Sequence, residues 1–165
     1  MRFRSFDEAD LVPVQRLIHH TIDSRYAGVY PPQAVRFFKE FHSLDRILER
    51  HAVGEVLVVE RDGDVIATGA IVAEEITGVF VHPEFQNRGI GGQLMDRLED
   101  IAWAGGHAAA ALSISLPSRR FYESRGYYVV ESCSIDVGEK ERLDYWAAEK
   151  PLGEGTQQAH EPGDS

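Results

Sequence analysis

The chain has 165 residues, 43% apolar and 27% charged, which fits one globular domain and excludes collagenous, disordered and disulfide-scaffold classes. Its 27 acidic residues against 17 basic ones give a formal charge of −10. That argues against a nucleic-acid backbone or an anionic membrane as the main partner, and it suits a cationic one such as an amine.

One cysteine, Cys133, leaves no internal disulfide and no cysteine-built structural zinc site. No apolar run reaches the ~18 residues of a membrane span, and the first residues form no apolar leader. A cytoplasmic location is therefore expected, with no membrane and no nucleic acid among the partners.

The alternation around Phe3 and Phe6 predicts a short edge strand at 2–6. Asp7 then caps a helix carrying Leu11, Val14, Ile18 and Ile22 on one face. Residues 26–32 read as a loop holding Tyr26 and Tyr30. Pro32 suits the first turn of a second helix with Val35, Phe38 and Phe41 turned inward. Ser43 caps a continuation with Leu44, Ile47 and Leu48.

From Glu55 the period changes. Residues 56–59 are a continuous apolar run, the mark of a strand buried on both faces. Asp62-Gly63 predicts a hairpin into a strand at 65–73, and another strand follows at 75–81. These three strands should form an antiparallel meander. After a polar loop comes a helix at 91–104, ended by Gly105-Gly106. A buried strand at 109–115 follows, then a short helix from Pro117-Ser118 to Gly126. Late strands are expected at 127–130 and 143–146. The domain is read as 1–152, and the Gly-, Gln- and Glu-rich stretch 153–165 as a disordered tail.

The informative segment runs from Val79 to Met95, where a strand enters a glycine-bearing loop and the loop opens a helix. The first N–H groups of a helix lack internal partners. Glycines let a loop turn so that such groups converge, and the nest so formed can hold a phosphate or pyrophosphate. A dinucleotide fingerprint is incomplete, because Leu94 stands where the third glycine should be, and no Walker triplet occurs. The spacing is Q-x-x-G-x-G from Gln86 to Gly91. The structural alternative is a strand–helix joint whose glycines serve only close packing.

This segment resembles the acyl-CoA loop of the GNAT superfamily of N-acetyltransferases. The Phe121-Tyr122-Glu123 run with Gly126-Tyr127 resembles the family's second recurring segment, and the resemblance covers about 2–152. It implies an α+β fold with a mixed, mostly antiparallel central sheet flanked by helices. Two parallel central strands, 75–81 and 109–115, would splay around the acyl-CoA. It implies acetyl-CoA as co-substrate, no metal, and direct transfer of acetyl to a primary amine of a small molecule or peptide. The oligomeric state is left open, a homodimer being one alternative.

Residue by residue, the resemblance implies that loop amides of Gln86, Asn87, Arg88, Gly89, Ile90, Gly91 and Gly92 receive the pyrophosphate. Main chain at Phe80 and Val81 would pair with the pantetheine arm. Tyr122 would lie near the sulfur; adjacent positions on a short helix point about 100° apart, and by that spacing Phe121 is expected in the core. Many relatives carry Asn and Ala where this chain has Ser115 and Ser118, and Ser115 is carried over as a contact. Arg119 and Arg120 are candidates for the adenosine 3′-phosphate. Glu75, eleven residues before Gln86, matches the base position of some relatives; His82 and water are the alternatives. Two other functions stay open: an acyl-CoA-binding module without catalysis, and an acetyltransferase for protein N-termini or lysines.

Overall fold

The structure is a computed structural model and describes residues 1–153. Apart from Gly153, the tail expected beyond residue 152 lies outside the described residues.

Strand β1 (Arg2–Ser5) leads into a 3-10 turn and helix α1 (Leu11–Arg25). The Asp7 carboxylate accepts the Ala9 N–H at 2.9 Å, and Asp10 accepts the Asp7 N–H at 2.8 Å, so the entry to α1 is capped reciprocally. Helices α2 (Pro32–Phe41) and α3 (Leu44–Val53) follow, the latter capped by Ser43. Strands β2 (Glu55–Arg61), β3 (Asp64–Val72) and β4 (Glu75–Val81) form the expected meander. Then come α4 (Ile90–Ala104), β5 (Ala109–Ser115) and the short α5 (Arg119–Ser124). Strands β6 (Tyr128–Gly138) and β7 (Glu141–Pro151) end the described chain.

One seven-stranded sheet runs β1-β2-β3-β4-β5-β7-β6. Every pairing is antiparallel except β4 with β5. The expected α+β architecture with one parallel central pair is therefore present. Val58 and Val59 are fully buried because the sheet is covered on both faces. Leu94, Met95 and Leu98 of α4 seal one face, while Val14, Ile18 and Ile22 of α1 and Ile47 of α3 seal the other. Each such side chain contributes about 1.5–3 kcal/mol by leaving water.

Two features of β4 open the middle of the sheet. Its register against β3 shifts by one residue between Thr68 and Ala70, and Gly78 sits there with a φ of 63°. A β-bulge of this kind needs a left-handed residue, which glycine supplies without steric cost. The parallel pairing of β4 with β5 holds at one register pair, Glu75 with Ala111. Beyond it the strands part, leaving a gap between the C-terminal end of β4 and Ser113–Ser115.

The late strands are eleven residues each, far longer than the stretches 127–130 and 143–146 expected from sequence. They turn through Gly138, Glu139 and Lys140, all at positive φ. Phe41, expected inward, is 39% exposed, and its ring lies parallel to that of Phe37 at 6.3 Å.

Candidate active site

The loop after β4 is shaped by two left-handed residues, Asn87 at φ 62° and Gly89 at φ 82°. Gly89 is the N-cap residue of α4, so the amides that follow open the helix without internal partners. Ile90 is buried in the core and anchors that first turn. The Gln86 side chain folds back and donates to the Val81 carbonyl at 2.9 Å, clamping the loop over the end of β4. A cavity of about 510 Å³ lies against this loop, lined by Gln86, Asn87, Gly89, Ile90, Gly91 and Gly92 together with Phe80 and Val81. Loop amides at a helix N-terminus beside an open cavity fit a pyrophosphate, by hydrogen bonding and by the helix dipole.

Gly91 sits in close quarters. A Cβ there would sit 3.3 Å from the Phe121 ring, with Val81 at 3.7 Å. Phe121 is thus not a core residue, contrary to expectation. It is 38% exposed and covers the start of α4. Its neighbour Tyr122, about 100° round the same helix, packs on the core instead and reaches the cleft.

A second cavity, about 200 Å³, lies on the other side of the splayed strands. Glu75, at the start of β4, is part of its lining, as are Ser113 and Ser115 of β5. The two cavities share Tyr26, Val79, Phe80, Ser118 and Tyr122, so they adjoin along a wall that includes Tyr122. Burial raises the Tyr122 phenol above the ordinary tyrosine range, so it holds its proton through neutral pH.

Both serines that depart from the resemblance sit at this junction. Ser115 Oγ lies 2.9 Å from Ser118 Oγ, and Tyr26 Oη donates to Ser115 Oγ at 3.0 Å. Tyr30 Oη accepts the Leu116 N–H at 2.8 Å and donates to the Asp144 carbonyl at 2.9 Å. Burial pushes its phenol up to about 12. The two tyrosines of the α1–α2 region therefore brace the end of β5.

Other candidates are placed apart from the loop cavity. Arg88 lies over the Phe85 ring at 5.3 Å, on the side of a third cavity that also holds His82. The His82 ring stacks on His20 at 5.1 Å, and its Nδ1 accepts the Glu84 N–H at 3.1 Å. Arg119 lies over Trp146 at 4.6 Å and donates to Glu123 at 3.1 Å. Arg120 is exposed.

Sequence reasoning missed Arg25. It ends α1, lines the loop cavity and donates to Gln86 Oε1 at 2.7 Å. A basic residue in the last turn of α1 is its only local signal, and that signal ordinarily means a helix end.

Residues 52–129 match the model of the acetyltransferase (GNAT) domain. A GCN5-related N-acetyltransferase (aminotransferase, class-II) from Rhodopseudomonas palustris shares the fold at a TM-score of 0.83 and 20% identity, over 92% of this chain and 95% of that one. The PaiA N-acetyltransferase of Thermoplasma acidophilum, solved with coenzyme A, gives 0.71 at 18% identity over 92% and 98%. YncA of Salmonella typhimurium, solved with acetyl-CoA, gives 0.66 at 22% over 93% and 95%. At these identities the likeness is one of fold. No curated protein sequence matches the chain. Residues 52–129 therefore carry the match to the acetyltransferase (GNAT) domain, and the fold is the one these solved acetyltransferases share. No helix among the described residues is long and apolar enough to cross a membrane.

Proposed function

We propose that the protein transfers acetyl from acetyl-CoA directly to a primary amine, with the donor in the loop cavity and the acceptor in the smaller one. The observation that carries this reading is that the two cavities adjoin along a shared wall that includes Tyr122. Donor and acceptor held on either side of one side chain can react without a covalent enzyme intermediate, because proximity supplies much of the barrier reduction.

Loop amides from 86 to 92 hold the pyrophosphate, with Arg25 adding positive charge beside Gln86. Past the bulge β4 no longer pairs with β5, so main chain at Phe80 and Val81 borders the gap where an extended arm would lie, with the Val81 carbonyl held by Gln86. A lysine-like amine has a pKa near 10.4, so about one molecule in a thousand is neutral at pH 7.4. Deprotonation costs about 4 kcal/mol at that pH. Glu75 in the acceptor cavity takes this proton, directly or through water. His82 lines neither cavity, which favours Glu75. As the amine nitrogen bonds to the acetyl carbon and the carbon–sulfur bond breaks, the Tyr122 hydroxyl supplies a proton to the departing sulfur, and the proton that the nitrogen sheds in becoming an amide returns through water to the Tyr122 phenolate.

The test is release of free CoA thiol from acetyl-CoA in the presence of primary amines, with the product identified by mass. Thiol release matched by an acetylated amine supports the reading. Acetyl-CoA binding without amine-dependent thiol release favours a binding module instead.

A further inference from the structure

The smaller cavity has a chemical character of its own. Phe37, Phe38 and Phe41 of α2 line it from one side, and Ile135, Leu143 and Tyr145 of the late strands from the other. The wall is rigid where it meets the junction: Phe38 packs edge-on against Tyr26 at 4.7 Å and Tyr30 at 5.0 Å. At about 200 Å³ the cavity is close to the size of apolar cavities, about 150 Å³, that hold a benzene ring.

Its charges are unequal. Among the described lining residues Glu75 is the one carboxylate. Behind the wall lies Arg50, 9% exposed, whose hydrogen bonds go to neutral acceptors: the His42 Nδ1 at 3.0 Å and the Phe41 carbonyl at 2.7 Å. The guanidinium stands 5.2 Å from the Phe41 ring and 3.2 Å from where a Cβ on Gly78 would be. Arg46 approaches the same ring at 5.9 Å.

We propose that the acceptor is a primary amine on an aromatic or branched aliphatic body, without a second cationic group, and that the α2 wall of Phe37, Phe38 and Phe41 selects it. The inference rests on the amine-transfer reading above. The apolar wall takes the body, because burial of apolar area supplies binding that a bare alkylamine lacks. Glu75 matches one ammonium. A second ammonium would find no further carboxylate in the described lining and would face the buried charge of Arg50, so diamines and polyamines are disfavoured. His42 adds no counter-charge. Its burial and the neighbouring Arg50 hold its pKa well below the usual histidine value, so it is neutral.

The experiment measures kcat/KM for 2-phenylethylamine, ethylamine and putrescine at saturating acetyl-CoA. Phenylethylamine is expected to exceed both others at least tenfold, in line with the worth of apolar groups in a fitted pocket. Phe41 is part of the cavity but partly exposed, so Phe41→Ala should keep the fold, checked by an unchanged melting temperature. That variant should compress the phenylethylamine-to-ethylamine ratio about tenfold without raising KM for acetyl-CoA. Putrescine used as well as phenylethylamine, or an unchanged ratio in Phe41→Ala, overturns the inference and leaves amine transfer standing. Thiol release with none of these amines, while acetyl-CoA binds, overturns the inference together with the reading beneath it.

Discussion

Tyr26 Oη donates a 3.0 Å hydrogen bond to Ser115 Oγ, joining the end of α1 to the end of β5 across the gap where β4 and β5 part. Ser115 in turn pairs with Ser118, so one short hydroxyl chain fixes the wall shared by both cavities. Ser115→Ala leaves the buried Tyr26 hydroxyl without this partner and should cost about 1–3 kcal/mol. Tyr26→Phe removes the donor itself and should cost less, about 0.5–1.5 kcal/mol. Urea denaturation of both variants and of the double variant checks this. The double should be more stable than the sum of the singles predicts.

A second brace lies beneath the loop helix. Lys150 Nζ donates to Glu99 Oε1 at 2.9 Å, both side chains being almost fully buried, and Tyr127 Oη donates to Glu99 Oε2 at 2.8 Å. Arg125 also approaches Glu99 at 3.6 Å, so without Lys150 the buried carboxylate keeps a weaker counter-charge and the Tyr127 hydroxyl. Lys150→Met is therefore expected to destabilise by about 1–3 kcal/mol, and Lys150→Met with Glu99→Leu by less. Chemical denaturation midpoints decide it.

The loop glycines answer to different causes. Gly89→Ala places a side chain at positive φ and should cost about 1 kcal/mol of stability, with weaker acetyl-CoA binding. Gly91→Glu sets a carboxylate among amides meant for an anion and presses on Phe121, so calorimetry should find acetyl-CoA binding lost. Wild-type affinity in that variant would contradict the placement of the phosphates.

The buried tyrosines and His42 set a pH window for stability. Burial raises the phenols of Tyr26, Tyr30, Tyr122 and Tyr127, so the fold holds their protons more tightly than the unfolded chain does. Their contribution is complete below pH ~10 and is lost as pH climbs above it. His42 has the opposite sign. Its depressed pKa means the unfolded chain takes up a proton that the fold refuses, so stability falls as pH drops below ~6.5. Urea midpoints should be highest near pH 8 and lower at both pH 5.5 and pH 10.5.

The meander, α1, α4 and the loop were legible because each has a strong local signal: a buried apolar run, an Asp-Gly turn, or a glycine pair at a helix start. The length of β6 was not. Residues 131–137 mix Glu, Ser, Cys, Asp and single Ile and Val on an edge strand, so no apolar run marks them. The direction of Phe41 and of Phe121 was also hidden. Helical spacing marks an apolar face but does not distinguish a core from a cavity wall. The bulge at Gly78 shows in sequence only as a lone glycine within a strand. Arg25 and the Arg50–His42 pair acquire their roles through tertiary contacts, which one-dimensional spacing does not carry.

The most direct test of transfer at the junction is Tyr122→Phe, which keeps the packed ring and deletes only the hydroxyl. kcat with a primary amine should fall roughly 10- to 1000-fold, in line with removing one proton donor, while the calorimetric affinity for acetyl-CoA changes little. Wild-type kcat in Tyr122→Phe, with the chemical step shown to be rate-limiting, would contradict the account.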